Sequence, residues 1–100
     1  MDSALLTVVA VFRARTGGSM ALGEALQALV EPTRKEDGCL NYDLHQANDD
    51  TDVYFFPETW RSMEDHGAHL ETPHVRHILE ISPDLIQEPI REYKGRRAEA

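Results

Sequence analysis

Five histidines and a single tryptophan are the side chains of this 100-residue chain best suited to chemistry. Four of the histidines, His66, His69, His74 and His77, crowd into twelve positions; the fifth is His45. A neutral imidazole, with an ordinary pKa of about 6.5, is the natural general base near physiological pH. Trp60 adds a flat surface for stacking and one N–H donor, and Glu58, two residues earlier, adds a carboxylate. Together these groups suit a small-molecule pocket that supplies its own proton transfer. A metal is the competing reading, because His66/His69 and His74/His77 stand at i, i+3. No cysteine and no HExxH accompany them, and Pro73 starts a new helix between the pairs, so no metal is expected.

The elements that must position these groups follow from hydrophobic periodicity. Ala4 to Arg13 is β-branched and apolar on both parities, the pattern of a strand covered on both faces. Ser19 can cap a helix in which Leu22, Ala25, Leu26, Leu29 and Val30 form one stripe, and Pro32 should kink or end it. Cys39 to Gln46 alternates: Leu40, Tyr42 and Leu44 on one face, Asn41, Asp43 and His45 on the other. After a polar turn, Val53 to Trp60 returns as its hairpin partner, with Tyr54, Phe56, Glu58 and Trp60 sharing a face. Glu58 there is either a half-buried acid with a raised pKa or, the favoured reading, the partner of an arginine.

Ser62 with Asp65 resembles a capping box and opens a helix to about Leu70. Thr72-Pro73 starts another, through Ile81. His66 points inward with Met63 and Leu70, His69 flanks the same opening, His74 serves the helix start, and His77 faces water. Asp84 to Tyr93 reads as the last strand, and 94–100 as a loose polar tail. The order β-α-β-β-α-α-β over one domain, with a core at about 4–93, fits a ferredoxin-like α+β sandwich. Its bare sheet face is apolar enough to pack on a second copy, so a homodimer is expected.

Bulk properties narrow the function. A net charge of −8 repels nucleic acid and anionic membrane. The apolar run at the start is far shorter than a membrane span. The lone Cys39 allows no intrachain disulfide, and the reading is a cytoplasmic protein.

The runs Pro32-Thr33-Arg34-Lys35-Glu36-Asp37-Gly38-Cys39, Tyr42-Asp43-Leu44-His45, Glu58-Thr59-Trp60 and His69-Leu70-Glu71-Thr72-Pro73-His74 also carry a resemblance. In that order and spacing the chain resembles the antibiotic biosynthesis monooxygenase domain family over about Leu6 to Ile81. The resemblance implies a dimeric α+β barrel. It also implies oxidation of a quinol, anthrone or polycyclic phenol to a quinone by dioxygen, without flavin, haem or metal. His45 and Trp60 match pocket positions of the oxygenases; Phe56 and His66 stand where those have an asparagine and a tyrosine. Strand one lacks the asparagine of the haem-degrading branch, so haem breakdown is not expected.

The expected catalytic residues are therefore His45, Trp60, His66 and His69, with Tyr54, Phe56, Glu58 and Asn41 touching the substrate, and no cofactor. Two alternatives stay open: an isomerase of a small oxygenated metabolite, and a non-catalytic dimeric ligand-binding module of the same fold.

Overall fold

A computed structural model describes residues 5–99. Its spine is a pair of eight-residue strands, β1 (Leu6–Arg13) and β4 (Val53–Trp60), zipped antiparallel from Leu6↔Trp60 to Arg13↔Val53. The edges are β2 (Cys39–Tyr42) and β3 (His45–Gln46) against β4, and β5 (Arg91–Gly95) against β1. Helices α1 (Ser19–Gln27), α2 (Val30–Arg34), α3 (Met63–His69) and α4 (Pro73–Ile81) complete the ferredoxin-like α+β fold.

One sheet face carries the core. Leu6, Val8, Ala10 and Phe12 of β1 cluster with Phe56 and Trp60 of β4, Leu22 and Leu26 of α1, and Val75 and Ile78 of α4. Phe56 and Trp60 are fully buried, each contributing roughly 1.5–3 kcal/mol of transfer free energy. Strand alternation sends Thr7, Val9, Val11, Phe55, Pro57 and Thr59 to the opposite face, joined by the exposed Tyr93, the partner of Val9.

Four local expectations need correction. The first helix breaks at Ala28–Leu29, not at Pro32: a proline ring clashes with the carbonyl four residues back, which is Ala28. Pro32 then sits in the first turn of α2, where no N–H is needed. Ser19 is the first helical residue rather than the cap, and its hydroxyl donates to the Thr51 carbonyl. The second strand is split after Tyr42, where Arg34 binds the Tyr42 carbonyl and the Asp43 carboxylate. The last strand starts at Arg91, because Ser82–Asp84 form a 3-10 turn, and it takes Lys94 and Gly95 from the expected tail. The caps at Ser62, accepting from the Asp65 N–H at 3.1 Å, and at Thr72, accepting from Val75, hold as expected.

Gly38 joins the α2 loop to β2 with φ +87°, and a Cβ there would run into the Asp65 carboxylate, itself clamped by Arg61 at 2.8 and 3.0 Å. Gly38→Ala is expected to cost more than about 1 kcal/mol, since the backbone is left-handed and the obstacle is pinned. A urea titration checks it; an unchanged midpoint contradicts the stated cause.

Candidate functional site

The acid–base groups gather where the ends of β4 and β2 meet α3 and the start of α4. Trp60 is the last residue of β4, and its face is fixed by the β1 register. His66 and His69 lie three apart on α3 and therefore present adjacent positions of one helix face. Both are buried, and their rings stand 5.6 and 4.7 Å from that of Trp60. His66 and His69 are 5.8 Å apart, and Tyr42 closes the other side 5.6 Å from His69.

Three residues outside the expected set complete the cluster. Glu36, in the loop after α2, places one oxygen, Oε2, 2.8 Å from His69 Nδ1 and 2.7 Å from His74 Nε2. The Thr72-Pro73 corner folds His74 back over His69, so the two rings that share the Glu36 oxygen are His69 and His74 rather than either i, i+3 pair. His74 is thus more than a helix-start device; Thr72 alone supplies the cap. Glu36 lies inside the Pro32–Cys39 run that carried the family resemblance, which was the available signal. Glu92 of β5 approaches His66 Nε2 at 3.8 Å.

Burial sets the charge states. It pushes His66 and His69 below the ordinary imidazole value, a trend Glu36 and Glu92 partly oppose, so both rings are biased toward the neutral form. Glu58 is 4% exposed and its carboxyl is pushed up to about 7 by desolvation, against the pull of the Trp60 N–H at 2.8 Å. The expected arginine is absent among its partners in the described residues; the indole takes that place. Consequently the Trp60 N–H is committed to Glu58 and not free for a substrate oxygen.

Other expected site residues fall elsewhere. His45 pairs with Phe55 and stacks on it at 5.2 Å, so it lies exposed on the face opposite Trp60. Asn41 pairs with Thr59 and shares that exposed face. The structure does not bring either to the Trp60 cluster. Tyr54 keeps the parity of Trp60 but sits six residues away, roughly 20 Å along the strand, donating to the Ser19 carbonyl at 3.0 Å. Phe56 packs on Tyr42 at 4.5 Å and edge-on to Phe12 at 6.1 Å, as core.

Trp60 is buried together with His66 and His69. A cleft of about 430 Å³ opens between α1 and α4, lined by Ala25, Leu29, Ile78, His77 and His74. His74 thus joins the cleft to Glu36 and His69. A larger cleft of about 630 Å³ lies on the other sheet face, against Tyr93 and residues 94–99, away from this chemistry.

The raised Glu58 pKa has a measurable sign. Between its ordinary 4.5 and about 7, the folded protein holds a proton that the unfolded chain releases, so this group lowers stability as pH rises through that window. His66 and His69 act oppositely, contributing stability that is lost as pH falls below 6.5. Glu58→Gln removes only the first effect and keeps an acceptor for the indole. Relative to the wild type, the variant is expected to gain about 3 kcal/mol between acid and neutral pH. Chemical denaturation at several pH values checks it; a pH-independent difference contradicts the assignment.

A five-stranded ferredoxin-like sheet covered on one face by helices, with two buried imidazoles and a buried carboxylate at one end, defines a small α+β protein. Its residues 5–81 match the antibiotic biosynthesis monooxygenase family, and the chain belongs to that family. It is 34% identical over 70 residues to protein sll1783 of Synechocystis sp., covering 68% of this chain but only 48% of that longer protein. It is 33% identical to "Putative monooxygenase Rv0793" of Mycobacterium tuberculosis, over 85% of this chain and 83% of that one. Among solved structures, PA3566 of Pseudomonas aeruginosa superposes with a TM-score of 0.91 at 33% identity, covering 99% of both chains. Rv0793 itself superposes at 0.90. No described helix is long and apolar enough to cross a membrane.

Proposed function

We propose that this protein is a monooxygenase that oxidises a quinol, anthrone or related polycyclic phenol to a quinone with dioxygen, using neither flavin nor haem. The observation that carries the reading is the Glu36 carboxylate shared by His69 and His74 beside Trp60, with His74 on the wall of the α1–α4 cleft. That cleft has the volume of a small-ligand pocket, about 300–1,000 Å³, and a mostly apolar lining. His74 takes the phenolic proton there. Glu36 fixes the tautomer of the ring and stabilises the imidazolium, as a carboxylate does for a catalytic histidine. The phenolate passes an electron to dioxygen, the two radicals combine at the ring carbon, and loss of water leaves the quinone. One substrate and one O₂ thus give one quinone and one H₂O. Trp60, Glu58 and His66 hold His69 in place and keep water out. His45, on the far sheet face, is not assigned a catalytic role.

The reading includes a homodimer through the face of Val9, Val11, Phe55 and Tyr93, in the cytoplasm, where Cys39 stays reduced. Light scattering tests the dimer.

Oxygen uptake with a panel of naphthoquinols and anthrones tests the activity. Turnover is expected, reduced about 10²–10⁴-fold in His74→Ala, the range for a lost general base. No uptake with any substrate overturns it. A second reading has one specific support: Glu58 at about 7 beside neutral imidazoles supplies both an acid and a base, the set an isomerase needs. Turnover that proceeds equally without oxygen would select it.

A further inference from the structure

Glu36, His69 and His74 place one carboxylate oxygen and two ring nitrogens within 4.8 Å of one another. They come from three separate elements, the α2–β2 loop, the end of α3 and the first turn of α4, so their convergence is a product of the fold. A divalent transition ion binds such donors at about 2.0–2.2 Å, which sets neighbouring donors about 3 Å apart. Glu36 Oε2 already stands 2.8 and 2.7 Å from the two nitrogens. Small side-chain rotations turn that hydrogen-bonded triad into three corners of a coordination sphere.

We infer that Glu36, His69 and His74 form a binding site for a single divalent transition ion. Two imidazoles with one carboxylate suit Zn²⁺, Fe²⁺, Co²⁺ or Ni²⁺, and not the all-oxygen shells of Ca²⁺ or Mg²⁺. Three protein ligands leave at least one position open. The three side chains are 13, 5 and 21% exposed, so a bound ion is sheltered, and the α1–α4 cleft at His74 gives it a way in. The acidic chain, at net charge −8, favours a cation from a distance. Coordination at these nitrogens moves each ring's N–H to its other nitrogen and breaks the bonds to Glu36, so the ion and the proton relay exclude each other.

The inference needs only binding, and its failure is separate from failure of the oxidation. Chelator-stripped full-length protein is titrated with Zn²⁺ in calorimetry and with Co²⁺ in visible absorption. One equivalent is expected, with the ligand-field bands of a low-symmetry site. Loss of a mere outer partner of a ligand costs about 10–100-fold in affinity. Glu36→Gln, which removes a ligand, is therefore expected to weaken binding by more than about 100-fold. His74→Ala, at a partly exposed first-turn position, should do the same while circular dichroism stays native. His45→Ala, exposed on the opposite face of the sheet, should change nothing. Absence of stoichiometric binding overturns the inference, as does binding that survives Glu36→Gln and His74→Ala or disappears with His45→Ala.

Discussion

Trp60→Ala is expected to remove about 3–5 kcal/mol of stability, the range for deleting a buried tryptophan. Trp60 is fully buried among Glu58, His66 and His69, with no solvent edge along which the site can relax. For a chain of this size each kcal/mol is worth about 4–8 °C in Tm, and the total stability is only about 5–15 kcal/mol. A second effect separates packing from chemistry. The indole N–H is the interaction that lowers the Glu58 pKa, so its loss drives that carboxyl still higher. Trp60→Phe keeps most of the volume and loses only the donor. It should cost about 1–3 kcal/mol, the cost of a buried acceptor left without its partner, and that cost should grow as Glu58 ionises. Trp60 is the only tryptophan, so wild-type unfolding is followed by fluorescence and the variants by circular dichroism. A Trp60→Ala cost below 1 kcal/mol would mean that the cluster is looser than its burial indicates.

The elements that position Trp60 were legible because each carried more than one signal. Both eight-residue strands have β-branched and aromatic runs, α3 has a hydroxyl cap with an acidic first turn, and α4 has a hydroxyl cap with an apolar stripe. Where one signal stood alone it misled. Alternation ran smoothly from Cys39 to Gln46, yet Arg34 captures the Tyr42 carbonyl and Asp43, and the strand breaks there. Leu85, Ile86 and Ile90 looked strand-like, but they pack as an irregular segment touching the core before β5 begins.

The site shows a further limit. Parity within a strand is readable, but which parity of one strand faces which of its neighbour depends on register, and a shift of one residue exchanges the faces. His45 and Trp60 therefore looked like companions until the His45↔Phe55 pairing put them on opposite sides of the sheet. Helical spacing needs no register, and it did place His66 and His69 together. Glu36 had no periodicity at all. It is thirty-three residues from His69, in a turn whose path depends on Gly38. Only the fold makes them neighbours.

That dependence gives Glu36→Ala an expected effect on activity as large as that of removing His74. In chelator-stripped protein, the oxygen-uptake rate should fall about 10²–10⁴-fold, because the imidazolium formed at His74 loses its counter-charge and its fixed tautomer. Stability should fall too, by about 1–3 kcal/mol for a buried donor left unmade. Most of that falls on His69, since His74 is 21% exposed and can turn to water. Glu36→Gln separates the two losses: it keeps an oxygen acceptor but carries no charge, so it should spare most of the stability and little of the rate. The wild-type protein, equally stripped of metal, should remain active, because the relay runs on protons. If stripping alone silences the wild type and Zn²⁺ or Fe²⁺ restores it, Glu36 serves the reaction as a metal ligand and the proton relay is wrong. If Glu36→Ala keeps full rate with its fold intact, the base lies elsewhere and the cluster is structural.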